Sequence, residues 1–301
     1  MIKLRDLQYL LAVNDYKHFG KAAEACHVSQ PTLSGQLKKL EDQLGVMLIE
    51  RNRHNVMLTP AGGQLIDKAR DVITAAQSFE QTAKTLTDPL SGDVHLGLIP
   101  TLAPYLLPHI MPMLSQQLPN MQFYLHENQT DKLLEQLAAG RLDLLILPWL
   151  PSMENLLKHH LFYEPLVLAV PDKHSLANCQ QVELSQLNGE QVLVLEDGHC
   201  LREQSLDYCF TAGADEDKRF KATSLETLRH MVAGGLGITL LPQLAVSGAQ
   251  VINGLSYRPF TAPQPHREIA LVCRPQFPRQ QCLEIIRDNI QQTAAALLPD
   301  L

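Results

Sequence analysis

Two cysteines, Cys200 and Cys209, stand nine positions apart in the polar stretch DGHCLREQSLDYC at residues 197–209. His199 precedes the first cysteine and Arg202 follows it, and a helix beginning here would add the positive end of its dipole. Each of these features favours the thiolate, which attacks one oxygen of a peroxide to give a sulfenic acid and expel hydroxide. A second thiol then converts the sulfenic acid into a disulfide. The segment is therefore a candidate for reversible thiol chemistry.

The spacing determines how the two sulfurs could meet. If residues 200–209 are helical, nine residues place the two cysteines on opposite faces and about 13 Å apart along the axis. A disulfide needs Cα atoms within about 7 Å of each other. Joining these cysteines therefore requires the segment to unwind, and oxidation would be registered as a change of shape.

The residue types alone leave alternatives open. Free cysteines are often small core residues, and Cys209 lies between two aromatic residues, which favours burial. His199 could serve only to cap or orient its neighbours in a turn. A zinc site is disfavoured because the chain has no C-x-x-C pair, so we expect no metal and no cofactor. We interpret the other four cysteines as structural: Cys26, Cys179, Cys273 and Cys282.

The elements that must position these side chains follow from the pattern after Val94. Apolar, β-rich runs alternate with helical runs such as TDKLLEQLAAG and SLETLRHMVAGG. This alternation predicts an α/β fold with a mostly parallel sheet, whose ligands sit beyond the C-terminal ends of the strands. Thr101, Thr130 and His199 each follow a strand run and precede a helical run, so they are candidate cleft residues. The strand runs are VHLGLIP, MQFYLHE, LDLLILP, LVLAVP, QVLVLED, ITLLP and IALVCRP.

The composition limits the class of protein. The chain has 301 residues, 45% of them hydrophobic and 19% charged, as in ordinary globular proteins of more than one domain. Residues 1–60 hold eight Lys and Arg against six Asp and Glu, whereas the whole chain carries a net charge of -7. A slightly basic N-terminal segment followed by an acidic remainder is typical of a nucleic-acid-binding module joined to another domain. We expect a cytoplasmic protein without a membrane segment, because the sequence has no signal-peptide pattern and no long apolar run.

Residues 1–60 have the pattern of a helix-turn-helix. In FGKAAEACHVSQPTLSGQLKKLEDQLG, residues 19–45, Ser29 is a good N-cap, and leucines recur at helical spacing behind a polar face. The segment 48–62 is predicted to form a two-stranded wing. Small polar and basic side chains read base edges or hold phosphates, so residues 1–60 predict a DNA-binding domain. The predicted DNA contacts are Ser29, Gln30, Pro31, Thr32, Ser34, Gln36, Lys38, Arg51 and Arg53.

A long helix is predicted over 61–87, followed by a hinge at 88–93. Its apolar residues are spaced alternately by four and three positions, which indicates a dimerisation seam. The alternative is a helix that packs only against its own domain. The seam consists of Leu65, Ala69, Val72, Ala76, Phe79, Ala83 and Leu86.

The first sixty residues, with AAEACHVSQPTLSGQLKKLEDQLGVMLIER and LTPAG, resemble the winged helix-turn-helix of LysR-type transcriptional regulators. TSLETLRHMVAGGLGITLLP, at 223–242, is also LysR-like. The resemblance implies an N-terminal all-α winged helix-turn-helix with a long linker helix, then a C-terminal α/β regulatory domain over 94–301. That domain would have two lobes like those of periplasmic binding proteins. Lobe I would comprise 94–162 and 268–301, and lobe II would comprise 163–267.

Two further segments, EDGHCLREQSLDYCFTAGADED and GLIPTLAPYLLPHIMPML, resemble those of peroxide-sensing members of this family. The resemblance implies that Cys200 is the peroxidatic cysteine and that Cys209 resolves its sulfenic acid. It also implies a peroxide pocket lined by Thr101, Thr130 and His199. Arg267, in PHREIAL, matches a position that helps to stabilise the reduced arrangement, and we expect Arg202 to support the thiolate or the reduced state.

The resulting hypothesis is a non-enzymatic transcription activator of oxidative-stress genes, assembled as a dimer of dimers and switched by a Cys200–Cys209 disulfide. Its expected partners are promoter DNA, further copies of itself, hydrogen peroxide, RNA polymerase and a thiol reductant such as glutaredoxin or thioredoxin. One alternative is a LysR-type regulator that binds a small organic effector between the lobes, which cationic side chains poised for a carboxylate would favour. Another is a thiol peroxidase, which steady peroxide turnover would reveal.

Overall fold

The computed structural model describes residues 2–51, 56–85, 88–247 and 252–298. The chain divides into two compact units, one comprising Met1–Thr87 and Ala138–Arg141 and the other comprising Asp88–Leu137 and Leu142–Leu301. The predicted DNA contact Arg53 and the predicted seam residue Leu86 lie outside the described residues, as does the side chain of Arg51.

The first unit begins with three helices and a two-stranded wing, as the sequence predicts. Ser29 caps the third helix, accepting a hydrogen bond from the Thr32 N–H at 3.3 Å, and Pro31 lies in its first turn. The largely buried Glu41 carboxylate then accepts from the main-chain N–H groups of Leu48 and Ile49, which fixes the path from this helix into the wing. The elements of this unit are α1 (Leu4–Tyr16), α2 (Phe19–Ala25), α3 (Gln30–Leu44), β1 (Ile49–Arg51), β2 (Val56–Leu58) and α4 (Pro60–Thr85).

The long helix α4 has two kinds of apolar surface. Ile66 and Ala69 are buried in the core of the first unit, so Ala69 packs within its own domain and the seam prediction is wrong at that position. The reason is that α4 lies against α1 over its first turns. Further along, Val72 and Phe79 are exposed, with 77% of the Phe79 surface accessible. Because Leu65 also packs against this core, the exposed part of the predicted seam begins at Val72, one heptad later than the spacing indicates.

Two adjacent glycines at the start of α4 give a matched test of its packing. A Cβ at Gly62 would lie 2.1 Å from the Leu48 carbonyl oxygen, whereas a Cβ at Gly63 would meet nothing within 4 Å. We expect Gly62→Ala to lower the free energy of unfolding by about 2–3 kcal/mol, because the wing must move aside. Gly63→Ala is expected to raise it by up to about 1 kcal/mol through helix propensity. Urea unfolding followed by circular dichroism measures both, and equal effects would contradict the described contact.

The second unit is an α/β structure with helices packed on its strands. Its elements are β3 (Gly92–Leu98), α5 (Ala103–Gln117), β4 (Met121–Glu127), α6 (Thr130–Ala138), β5 (Leu144–Pro148), β6 (Leu157–Pro171), β7 (Gln191–Leu195), α7 (Cys200–Thr211), β8 (Asp215–Ala222), α8 (Leu225–Ala233), β9 (Thr239–Pro242), α9 (Gln243–Val246), β10 (Leu255–Arg258), β11 (His266–Cys273) and α10 (Gln280–Leu297). The largest sheet has seven strands in the order β10-β6-β11-β5-β3-β4, with β9 paired to β6, and β7 and β8 form a separate pair.

The prediction of a mostly parallel sheet is wrong. β3 runs parallel to β4 and β5, and β7 runs parallel to β8, but β11 pairs antiparallel with β5 and β6. β9 and β10 also pair antiparallel with β6. The cause is that β6 and β11 carry the chain between two halves of the unit in opposite directions. The hinge prediction is also too long, because β3 already begins at Gly92.

Two hydrophobic cores lie within this unit. One is built from residues between Val94 and Phe162 and between Ile269 and Leu298, and the other from residues between Leu166 and Phe260. The division follows the two lobes expected from the family resemblance. Cys200 and Leu244 depart from it, because both pack into the first core although they lie in the second stretch of sequence. No helix in the described part of the chain is both long and apolar enough to span a membrane.

Candidate redox site

The turn between β7 and α7 places Cys200 at the first position of a helix. Gly198 has a φ of 94°, a conformation that L side chains rarely adopt, and a Cβ there would lie 3.0 Å from the Gln129 side chain. His199 follows as the N-cap residue of α7. The strand therefore turns directly into the helix, and this turn brings the Cys200 side chain back against the first core.

Both candidate redox cysteines lie in α7 as free thiols, and the prediction of a helix over 200–209 is confirmed. Cys200 packs into the first core and Cys209 into the second, where it is fully buried. At 1.5 Å per residue, the helix separates the two by about 13 Å along its axis. The two thiols are therefore held apart by helix geometry and by membership of different cores.

A small, tightly packed cavity brings Cys200 together with the three pocket residues named from the sequence, Thr101, Thr130 and His199. All four are at least nine-tenths buried. The Thr130 hydroxyl, at the start of α6, is buried in this cavity near the Cys200 sulfur and makes no hydrogen bond to another described residue. Thr101 lies in the turn after β3, between that strand and α5.

Arg267 provides the positive charge nearest to this cavity. Its guanidinium is fully buried, donating to the Thr101 hydroxyl oxygen and the Thr101 carbonyl oxygen at 2.9 Å each. It also forms an ion pair at 2.8 Å with the fully buried carboxylate of Glu164. Because the Thr101 oxygen accepts from Arg267, the proton of that hydroxyl is left to point elsewhere in the cavity.

Burial raises the pKa of the Cys200 thiol above its ordinary value. The positive charge of Arg267, the nearby Thr130 hydroxyl and the main-chain N–H groups at the start of α7 act in the opposite direction but are smaller. The expectation that the setting of Cys200 would favour the thiolate overall is therefore wrong for the resting site. Desolvation of the charged sulfur outweighs the helix terminus and the neighbouring cation.

Arg202 does not support the thiolate in the expected way. Its guanidinium makes a two-point ion pair with Glu216 at 2.9 Å and a further pair with Asp197 at 3.0 Å. Arg202 therefore holds α7 against β8, and Arg267 is the cation that acts on Cys200. Burial also lowers the pKa of His199, so this side chain is neutral at pH 7 and adds no positive charge.

The remaining cysteines are not arranged for the same chemistry. Burial raises the pKa of Cys209 to about 12, and the pKa values of Cys273 and Cys282 to about 11. The Cys282 sulfur lies 3.5 Å from the Met121 sulfur within the first core. Among the described residues, no three His, Cys, Asp or Glu side chains converge as they would on a metal ion.

Sequence reasoning missed Glu164, which completes the buried ion pair. It lies on β6 directly opposite Arg267 on β11, and it also accepts a hydrogen bond from the Leu244 N–H at 3.0 Å. One signal was present, because Glu164 interrupts the apolar run from Leu161 to Val170. A charged residue inside such a run needs a buried partner.

The raised pKa of Cys200 predicts a pH dependence. Well below its pKa, the thiolate fraction increases about tenfold for each pH unit, so the rate of reaction with peroxide should rise from pH 7 to pH 9. The measurement is the initial rate at which free Cys200 thiol is lost at each pH. A rate that levels off below pH 8 would mean that the pKa is lowered instead.

The predicted DNA-reading surface is described for α3 but not for the tip of the wing. Thr32 and Lys38 are exposed, while Ser34 and Gln36 are half-buried. The Ser29 hydroxyl lies 2.8 Å from the Thr32 hydroxyl, so these two side chains organise the start of the helix. The exposed polar face is thus presented at the N-terminal end of α3, as the sequence predicts.

Two family models match the chain. Residues 4–63 match the bacterial regulatory helix-turn-helix protein model of the lysR family, and residues 87–295 match the LysR substrate binding domain. Together with the helix-turn-helix and the α/β second unit, these matches define the class of protein. The chain belongs to the LysR family of bacterial transcriptional regulators.

Within that family, its similarity is to OxyR. The DNA-binding transcriptional dual regulator OxyR of Escherichia coli K12 is 50% identical over 98% of this chain and 95% of that protein. The hydrogen peroxide-inducible genes activator of Dickeya chrysanthemi is 50% identical over 97% of this chain and 95% of its own length. A full-length OxyR variant from Pseudomonas aeruginosa, solved as a structure, is 37% identical with a TM-score of 0.78. The match covers 97% of this chain and 95% of the solved chain.

Proposed function

We propose that this protein is a transcription regulator that senses hydrogen peroxide by forming a reversible disulfide between Cys200 and Cys209. The observation that carries the proposal is the placement of Cys200 in a small cavity with two threonine hydroxyls and a buried arginine. Cys209 shares the same helix but packs in a different core. The names of the OxyR relatives, which include hydrogen peroxide-inducible genes activator, support the same function.

The first step oxidises Cys200. Its sulfur attacks one oxygen of hydrogen peroxide, an S–O bond forms and the O–O bond breaks. The departing oxygen takes the thiol proton and leaves as water. Thr101 and Thr130 are the hydroxyls that lie where they can hydrogen-bond the peroxide oxygens. Arg267 favours the negative charge on sulfur when the thiol loses its proton, and it thereby offsets part of the burial effect that raises the pKa of Cys200.

The second step joins the two cysteines. The Cys209 sulfur attacks the sulfenic sulfur, an S–S bond forms, and the S–O bond breaks. The released hydroxyl group and the Cys209 proton leave as water. Because α7 holds the cysteines about 13 Å apart along its axis, the helix must unwind for this bond to form. Unwinding also withdraws Cys200 from the first core. Disulfide formation would therefore alter the contact that this helix makes between the two cores.

The change of shape must reach the DNA through paired subunits. The exposed apolar residues Val72 and Phe79 on α4 belong to the seam through which we propose that two copies associate. Two paired heads would then place their α3 helices in successive half-sites of promoter DNA, and dimers would pair in turn as a dimer of dimers. The proposed base and phosphate contacts are those named from the sequence at the N-terminal half of α3 and in the wing.

The size of the cavity separates this function from the organic-effector alternative. Pockets for organic ligands usually enclose about 300–1,000 Å³, whereas the space beside Cys200 is so tightly packed that it does not admit even a water-sized molecule without movement of its walls. Arg267, the cation that acts on Cys200, is already paired with Glu164. These features argue against an organic anion at this place and support a very small, neutral oxidant as the signal. We further propose that the protein acts in the cytoplasm beside the chromosome and contacts RNA polymerase there. Glutaredoxin or thioredoxin would reduce its disulfide.

The decisive experiment is a DNA footprint with and without hydrogen peroxide, on the native protein and on Cys200→Ser. The duplex is one selected from a random pool by the reduced protein. We expect peroxide to change the footprint of the native protein and to leave that of Cys200→Ser unchanged. An identical peroxide-induced change in both would refute the role of Cys200. Sustained peroxide consumption with excess thiol reductant, rather than stoichiometric oxidation, would favour a thiol peroxidase.

A further inference from the structure

One hydroxyl outside the cavity ties the redox helix to a strand of the main sheet. The Tyr208 hydroxyl, on α7 beside Cys209, donates to the His266 carbonyl oxygen at 3.1 Å. The same hydroxyl accepts a hydrogen bond from the His266 N–H at 3.3 Å. His266 is the first residue of β11 and the neighbour of Arg267. A single side chain therefore takes up both main-chain hydrogen-bonding groups of His266.

The sheet itself offers His266 no replacement in the described structure. His266 lies opposite Pro165 of β6, and proline has no N–H to donate. Leu166 donates to the Pro265 carbonyl oxygen at 2.8 Å, so the next pair, Pro165 and His266, falls where antiparallel strands do not exchange hydrogen bonds. On the other side of β11, β5 reaches only as far as the position opposite Ile269. The Tyr208 hydroxyl fills the place that a neighbouring strand would occupy.

Resting on the proposed peroxide function, we propose that Tyr208 is a positioning residue that holds the Cys209 end of α7 in its reduced place and slows disulfide formation. The two hydrogen bonds depend on α7 being folded beside β11. Unwinding the helix to bring Cys209 toward the oxidised Cys200 breaks them. The two hydrogen bonds therefore stabilise the reduced state relative to the disulfide. They also stabilise it relative to the unwound state from which Cys209 attacks the sulfenic sulfur.

The kinetic consequence is specific to one step. Peroxide attack on Cys200 involves Thr101, Thr130 and Arg267, none of which is hydrogen-bonded to Tyr208 in the described structure. Resolution, in which Cys209 attacks the sulfenic sulfur and water leaves, requires release of the Tyr208 contact. Removal of this hydroxyl should therefore leave sulfenic acid formation unchanged and accelerate its conversion to disulfide.

The test compares full-length native protein with Tyr208→Phe, which keeps the ring and removes the hydroxyl. Reduced protein is mixed with hydrogen peroxide, the sulfenic acid is trapped with dimedone at set times, and the disulfide is quantified by mass spectrometry. We expect an unchanged rate of sulfenic acid formation and resolution about fivefold faster, the value of roughly one net hydrogen bond. In glutathione buffers the thiol–disulfide equilibrium should shift about fivefold toward disulfide, or about 20 mV.

Tyr163→Phe is the matched control. Tyr163 is half-exposed on β6, and its ring contacts the His266 ring edge-on at 5.2 Å. We expect this variant to match the native protein in both rates and in the equilibrium. An equal change in both variants would overturn the role of the Tyr208 hydroxyl.

Two results separate failure of this inference from failure of the proposed function. If the Cys200–Cys209 disulfide forms in both proteins at the same rate and with the same equilibrium, the role of Tyr208 is wrong and the peroxide function stands. If no such disulfide forms in the native protein, both fail. If Tyr208→Phe does not fold, hydrogen exchange of the His266 N–H in the native protein tests the inference instead. We expect this N–H to exchange faster in the oxidised protein than in the reduced protein, because its hydrogen bond to Tyr208 is lost. Equal exchange in the reduced and oxidised protein would overturn the inference.

Discussion

Replacement of Arg267 by methionine is expected to lower the free energy of unfolding by about 3–5 kcal/mol, because the Glu164 carboxylate is then left buried without its cation. The Arg267–Glu164 pair is entirely inaccessible to solvent, so water cannot take over the lost interaction. The same change removes the positive charge beside Cys200 and the donor to the Thr101 hydroxyl. We therefore also expect a rate of peroxide reaction at least tenfold lower. Urea unfolding and the rate of Cys200 oxidation measure the two effects.

A second variant separates stability from chemistry. Replacement of both partners, as Arg267→Met with Glu164→Leu, leaves no unpaired charge and should recover most of the lost stability. The peroxide rate should remain low, because the cation is still absent. Arg287→Met is the control, since Arg287 pairs with Asp288 at the surface and its loss should cost less than about 1 kcal/mol. Recovery of the peroxide rate in the double variant would show that Arg267 acts only through folding.

Cys209→Ala is expected to abolish the intramolecular disulfide while leaving the first oxidation step intact. Peroxide should convert Cys200 to a sulfenic acid that persists and reacts with dimedone, because the resolving thiol is missing. Promoter footprints taken before and after peroxide should then be the same. Mass spectrometry of the treated protein detects the added oxygen and the absence of a disulfide.

Cys282→Ala is the matched control for that variant. Cys282 is as deeply buried as Cys209, burial raises its pKa to about 11, and it lies in the core that contains Cys200. Both substitutions remove one buried sulfur, so their effects on stability should be similar. Only Cys209→Ala should lose the disulfide. A disulfide that still forms in Cys209→Ala, through Cys282 or Cys273, would show that the resolving cysteine was assigned wrongly.

Much of the site followed from local sequence, since helix caps and strand ends are encoded by neighbouring residues. Ser29 predicted the start of α3, and the strand-to-helix junctions predicted that Thr101, Thr130 and His199 would share a cleft. The helix over 200–209 was also predictable, and with it the separation of the two cysteines. These features depend on short-range spacing, which one sequence displays directly.

The remainder depends on contacts between distant segments. β8, with the sequence DEDKRFKA, was missed because its residues are mostly charged and do not form an apolar run. The antiparallel pairing of β6 with β11 joins residues about a hundred positions apart, which no local pattern specifies. The pKa of Cys200 was misjudged because burial, which depends on the whole fold, outweighed the neighbours visible in sequence. The partner of Arg202 was not foreseen, because Glu216 lies on β8, 14 positions further along the chain.

The tight walls around Cys200 also act as a sieve. An oxidant must fit inside the space between Thr101, Thr130 and His199 before it can touch the sulfur, and all of these side chains are held by packing. Long-chain or aromatic hydroperoxides carry the same O–O group on a body too bulky to enter. We therefore expect the fold to discriminate among oxidants by bulk before any difference in their intrinsic reactivity matters, so that a mixture of hydroperoxides would act on this regulator chiefly through the smallest of them.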